Sequence, residues 1–130
     1  MIRAHATAVL SALNGTGATV YDHDQLINLP PVPYGVAYVD LGRGADPRMC
    51  GDDAGRAWRI LVRFVGSTAD EARWVAEKTW TALDGKRMTV TGRRCTPCRS
   101  ESTQPIVPDP DDEDVYNGSA VWTFASHPAT

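Results

Sequence analysis

The chain has 130 residues, of which 42% are hydrophobic and 22% are charged, and this fits one globular domain that can bury a core without disulfides. Thirteen Lys and Arg against sixteen Asp and Glu give a net charge of −3, which argues against a dedicated nucleic-acid binder. Neither a membrane-span-length apolar run nor the apolar core of a secretory signal is present, and three cysteines do not suggest a disulfide framework. We therefore expect a single domain, residues 1–130, in a reducing compartment and outside the membrane.

The first half of the chain predicts one helix followed by three strands. Apolar residues share one helical stripe at Ile2, Ala6, Val9, Leu10 and Leu13, and a glycine-rich segment then ends the helix. Strands are predicted at 18–21, 34–41 and 58–65. Loops are predicted between them at 22–33, which is rich in proline, and at 42–55, which is rich in glycine.

The second half begins with a well-marked helix. Thr68 and Glu71 have the spacing of a capping box, and Gly85 marks the helix end. Residues 86–101 are basic and compatible with a strand, and residues 102–117 are predicted as a polar loop because they contain three prolines. A last strand is expected at 120–125, followed by a frayed tail.

This order predicts an α+β fold, with two helices packed on a mainly antiparallel or mixed sheet of four to five strands. The strand at 58–65 has one fully apolar face, which predicts a dry core on that side of the sheet. Its other face carries Arg59 and Arg63, which suit either an interface or a plain exposed surface.

The motif Cys95-Thr96-Pro97-Cys98 allows three interpretations. It resembles a redox dithiol, but it lies late in the chain and no amphipathic helix follows it. Together with Cys50 and one histidine it would reach the four ligands of a zinc site, but no second paired motif supports that. Small buried residues are the commoner explanation, so we expect no metal and no cofactor.

Opposite charges are concentrated in two stretches of the second half. The acidic run consists of Asp109, Asp111, Asp112, Glu113 and Asp114, and it has only fragments of a calcium-loop pattern. The basic stretch consists of Lys86, Arg87, Arg93, Arg94 and Arg99, with Glu101 beside it. The two stretches favour either a head-to-tail contact between copies or neutralisation within one chain.

Motifs of nucleophilic, nucleotide-binding and metallopeptidase sites do not occur in the sequence. The three histidines are scattered, without a Ser or Asp partner at motif spacing, so we expect them to be surface residues. The sequence therefore favours a protein that is not an enzyme.

Several segments resemble the small tail terminator, or tail-completion, proteins of long-tailed phages and prophages of actinobacteria. The strongest is the join of strand to helix, VGST at 65–68 followed by ARWVAEK at 72–78. The other matching segments are 4–13, 29–40, 50–52, 55–59 and 121–124. Together they extend over most of the chain.

The resemblance implies a structural protein that forms a ring, typically a hexamer, on the end of the tail tube. Such a ring ends tube polymerisation and presents a surface to the head–tail connector, so the implied partners are further copies, the tail tube protein and the connector or neck protein. The genome would pass through the lumen without specific binding. The implied location is the tail–neck junction of a virion whose parts are made in the cytoplasm of the bacterial host.

Long loops are natural contact elements in such a ring. We assign the loop at 42–55, with Arg48 and Asp52, to ring or tube contacts, and the acidic loop at 102–117 to the lumen or the connector. The alternatives are another phage neck or tail component, such as a head-closure protein, and a small metal- or redox-active module that uses the two late cysteines.

Overall fold

The computed structural model describes residues 2–22, 31–44 and 56–128. Its elements in chain order are α1 (Ile2–Asn14), β1 (Val20–Asp22), β2 (Tyr34–Gly44), β3 (Arg56–Gly66), α2 (Ala69–Leu83), β4 (Arg93–Cys95), β5 (Arg99–Asp109) and β6 (Asp112–Pro128). Both predicted helices are present, and so are the strands predicted around β1, β2, β3 and the second half of β6.

The strands of the described residues form one mixed sheet. The order is β1-β2-β3-β6, and β4 and β5 share the remaining edge of the long strand β6. The β1–β2 pair is parallel and the other pairs are antiparallel. The α+β class, with two helices on a mixed sheet, is therefore confirmed.

Helix α2 begins and ends where the sequence predicts. The Thr68 hydroxyl accepts a hydrogen bond from the Glu71 backbone N–H at 3.1 Å. In a capping box the Glu71 carboxylate would accept from the backbone N–H of Thr68. Here it accepts instead from the preceding residue, from the Ser67 N–H at 2.9 Å and from the Ser67 hydroxyl at 2.6 Å. At the other end Gly85 has a φ of 68°, a left-handed conformation that glycine adopts without strain.

The predicted loop at 102–117 is wrong. These residues lie mostly in β5 and in the first part of β6, which form a hairpin through a turn at 110–111. This hairpin raises the sheet to six strands within the described residues. The predicted strand at 86–101 is shorter than expected, and β6 continues to Pro128, where a frayed tail was predicted.

Both helices contribute to one core against a single face of the sheet. Val9 and Leu13 of α1 and Val75 and Leu83 of α2 are buried there, but Ile2 of the predicted stripe is exposed. Within the described residues, neither helix combines the length and the apolar character that crossing a membrane requires.

Candidate interface surfaces

The two faces of the sheet differ in what covers them. Strand β3 contributes Trp58, Ile60, Val62 and Phe64 to the core under the helices, and all four are buried, as the sequence predicts. Arg59 and Arg63 alternate with them and are exposed on the opposite side, which we call the open face. The apolar and basic sides of this strand are thus confirmed.

The open face has a small apolar cluster of its own. Tyr34, Val36 and Val65 are buried there, and half-buried residues pack around them: Tyr21, Tyr38 and Val115. The Tyr21 and Tyr34 rings meet edge to face, with their centroids 5.9 Å apart. Burial raises the pKa of Tyr34, an effect that the charge of Arg63 opposes and that of Asp109 reinforces. Both charges therefore lie close to this cluster.

Arg59 forms an ion pair across the open face. Its Nη2 atom lies 3.3 Å from Oε1 of Glu101, and the two side chains are 55% and 45% exposed. An exposed pair of this kind stabilises a fold by about 0–1 kcal/mol, so it orients the two side chains more than it holds the sheet together. Near Arg63, a cavity of about 250 Å³ is lined by Leu61, Gln104, Val107, Asn117 and Ser119.

The basic stretch is gathered at the end of the sheet where β6 finishes. Arg94 pairs with His127 in the β4–β6 ladder, and Arg99 pairs with Thr123 at the start of β5. Arg87 is held nearby by a bridge to Pro97 and by a hydrogen bond from its Nη1 to the carbonyl of Cys95 at 3.0 Å. Arg93 is half-buried and is bonded to Ser126, so it is the least available of these cations.

The acidic run forms the far end of the β5–β6 hairpin. One Asp109 oxygen accepts from the Asp111 N–H and the other accepts from the Asn117 side-chain amide, both at 2.9 Å. These bonds fix the turn, so Asp109 has a structural role there. Among the described residues, no group of three His, Cys, Asp or Glu side chains is arranged to hold a metal ion.

The two late cysteines are free thiols in the interior. Cys95 is 4% exposed and Cys98 is 1% exposed, as expected for small buried residues. Burial, with a smaller contribution from Cys95, raises the pKa of Cys98 to about 12. A thiol with such a pKa is a weak nucleophile, which is the opposite of what a redox dithiol needs.

A buried polar group that the sequence did not reveal joins α1 to the end of β6. The Nε2 atom of His5 lies 2.8 Å from the Ser126 hydroxyl, and both residues are fully buried. Arg93 Nε donates to the same hydroxyl at 2.9 Å. The prediction of a surface position is therefore wrong for His5. A Ser–His pair of this kind is not open to a substrate, because the protein encloses it.

Helix α2 presents two tryptophans on its outer side. Trp74 is 39% exposed and Trp80 is 48% exposed, and the Trp80 ring packs edge-on against the buried Trp122 at 4.8 Å between centroids. The ammonium group of Lys78 lies 5.7 Å from the centre of the Trp74 ring. Each tryptophan is thus held by a neighbour even though it faces outward.

Part of the predicted interface lies outside the described residues. This holds for Arg48 and Asp52, and two of the residues weighed as zinc ligands, Cys50 and His23, also lie outside the described part of the chain. The side chains of Asp112 and Glu113 in the acidic run are also not described. Their assignments therefore stay predictions.

The fold and its surfaces define an α+β protein whose distinctive features are an open sheet face and a charged hairpin. Comparison of the sequence with protein-family models gives no match, and comparison with curated proteins gives none.

Solved structures share the fold. A chain from the virion of a native gene transfer agent particle has a TM-score of 0.63 and 20% identity, over 92% of this chain and 85% of that one. A second solved protein has a TM-score of 0.63 and 15% identity, over 99% of this chain and 95% of that one. The likeness extends over nearly the whole length of all three chains.

Proposed function

We propose that the protein is a structural component of a virion, and specifically a tail terminator that closes the end of a tail tube. The observation that carries the proposal is the fold shared with a chain of a gene transfer agent virion over most of both lengths. The segments that resemble tail terminators, above all the join of β3 to α2, support the finer assignment. At this level of identity the shared fold alone does not define a role, so the assignment depends on both observations.

The surfaces of the molecule suit a structural protein that acts by binding other chains. An assembly protein needs surfaces that other chains can cover, and the open face and the hairpin provide them. The polar constellations most suggestive of chemistry, His5 with Ser126 and the two late cysteines, are enclosed in the core. We therefore propose that the protein is not an enzyme.

In this proposal, copies form a ring on the last ring of the tube. One side of the ring binds the tube in the way that one tube subunit stacks on another. Its other side offers no site for a further tube subunit, so growth stops. That second side receives the connector. A ring requires one surface of each copy to bind a different surface of the next, repeated until the rotation closes.

Deletion of the gene in its phage or prophage tests the proposal. We expect particles that lack the protein to have tails of abnormal length that are not joined to filled heads, and expression of the wild-type chain in trans to restore them. Tail lengths and joined particles are counted by negative-stain electron microscopy. Tails of normal length on filled heads in the deletion strain would exclude this function.

A further inference from the structure

Strand β5 is unusual because most of its side chains are exposed on both faces, although Ile106 packs against the core. Along Arg99–Asp109, every side chain is exposed except those of Ile106 and Asp109, which are half-buried. A strand in a sheet normally buries one face against a core. An 11-residue strand without that cover offers its sides to another molecule.

Another molecule is not expected to bind β5 by adding a strand to its free edge. Pro105 and Pro108 have no N–H to donate, and the β5–β6 register shifts at three places along the hairpin. Prolines and bulges on an edge strand prevent pairing with a further strand. The contact must therefore use side chains.

The hairpin carries opposite charges at its two ends. Its acidic tip is the turn end of the hairpin, where the described side chains of the acidic run are Asp109, Asp111 and Asp114. Its basic root, at the other end of β5 and around β4, consists of Lys86, Arg87, Arg93, Arg94 and Arg99.

The tip and the root of one copy are too far apart to neutralise each other. Ten residue steps separate Arg99 from Asp109, and at ~3.3 Å per residue this is about 33 Å along the strand. Exposed charges are screened over ~8 Å at physiological salt. The geometry therefore disfavours neutralisation of the tip by the root within one chain.

We propose that the acidic tip of one copy docks on the basic root of the next copy, head to tail. The occupant is a second copy because this chain itself carries both of the complementary surfaces. Two tips brought together would repel, so the contact joins unlike surfaces, which is the kind of contact that builds a ring. This inference rests on the proposed function, since it names the contact between ring subunits.

Charge reversal in the purified full-length chain tests the contact. Asp111→Lys at the tip and Arg94→Glu at the root each change one exposed residue. We expect each variant alone to associate about tenfold more weakly than wild type at low ionic strength, and an equimolar mixture of the two to recover association. Glu77→Lys, an exposed site on α2 with the same change in charge as Asp111→Lys, is the matched control and should behave as wild type.

Sedimentation velocity over a range of concentrations measures the association. At ~1 M salt, where screening acts within ~3 Å, the wild-type assemblies should dissociate. A wild-type chain that stays monomeric at every concentration, or a mixture that associates no better than its separate components, would overturn the contact.

A second measurement locates the contact directly. Zero-length carbodiimide coupling of a mixture of ¹⁴N- and ¹⁵N-labelled chains should join a tip carboxylate of one copy to Lys86 of another, as seen by mass spectrometry. Links confined to other surfaces in associated material would contradict the proposal. Failure of these tests with normal tail completion removes the contact and leaves the function. Association that depends on the tip and the root as expected supports the contact even if tail completion fails. Normal tails in a strain that lacks the protein would exclude the proposed function.

Discussion

At the residue scale, a chain of polar contacts leads from the half-buried Arg93 through the buried Ser126 to the buried His5. Arg93 Nε donates to the Ser126 hydroxyl at 2.9 Å, and the same hydroxyl lies 2.8 Å from Nε2 of the His5 ring. The ring stacks on Trp58 at 4.2 Å between centroids, so the polar contact also fixes α1 on the sheet.

Ser126→Ala should destabilise the fold by about 1–3 kcal/mol, because it removes the hydroxyl that Arg93 and His5 share and leaves both without that hydrogen-bond partner. Urea unfolding followed by tryptophan fluorescence measures the change. Ser102→Ala, at an exposed position of β5, is the control and should change the free energy of unfolding by less than about 0.5 kcal/mol. Equal effects of the two substitutions would show that the buried contact contributes little.

The carboxylate of Glu71 accepts two hydrogen bonds from Ser67 at the start of α2. Hydrogen bonds from the Ser67 hydroxyl and from the Ser67 N–H lower the pKa of Glu71 in the folded state. The resulting stabilisation is present above the unfolded-state pKa and is lost as pH falls through the lower folded-state pKa. We therefore expect wild type to be more stable than Glu71→Gln near pH 7 and the difference to shrink between about pH 5 and pH 3.

Unfolding in urea at a series of pH values measures that difference. Ser67→Ala should lower the stability of the wild-type chain and have less effect on the stability of the Glu71→Gln variant. The difference between the two backgrounds should therefore become smaller. A difference between wild type and Glu71→Gln that does not depend on pH would contradict the role of these hydrogen bonds.

His5 also shows why residue type alone did not predict which side chains are buried. His5, Val9 and Leu13 are spaced by four, and they are the buried residues of α1. The spacing was a signal that His5 lies on the core side, but its residue type favoured the surface. Its partner Ser126 is 121 positions away, and no local pattern reveals a contact at that separation.

At the scale of elements, prediction succeeded where the physical signal was local. Helix α2 has its cap, its apolar stripe and its terminal glycine within 18 residues, and β3 alternates cleanly between core and open face. Strand β5 lacks such a signal, because neither of its faces is buried and its prolines are tolerated on an edge. The pairing that makes it a strand comes from β6, which follows it in the chain.

The junction between β3 and α2 is closely packed at Gly66. A Cβ atom at Gly66 would lie 2.6 Å from the Ala72 backbone nitrogen and 2.7 Å from the Glu71 Cβ. Because backbone cannot move aside as a flexible side chain does, we expect Gly66→Ala to cost about 1–3 kcal/mol.

Thermal unfolding followed by circular dichroism measures the cost. Gly15→Ala is the matched control, since a Cβ there would meet its nearest atoms at 3.4 and 3.5 Å, which are ordinary contacts. A melting temperature unchanged by Gly66→Ala would show that the junction relaxes, and that the close approach of strand and helix is not required.

At the scale of the whole molecule, the sequence predicted which charged residues belong to the candidate interface but not how they are arranged in space. The acidic run, the basic stretch and the arginines of β3 were all recognised from the sequence. That the acidic run and the basic stretch lie toward opposite ends of the β5–β6 hairpin follows from the pairing of β5 with β6, where the sequence predicts a loop. The central claim is that many copies of this shape end a tail tube.

Locating the protein in intact particles tests that claim most directly. A tagged chain, visualised by gold labelling or by cryo-electron microscopy, should lie in one ring at the head-proximal end of the tail tube. Label along the length of the tube, at its distal end, or absent from mature particles would contradict the account.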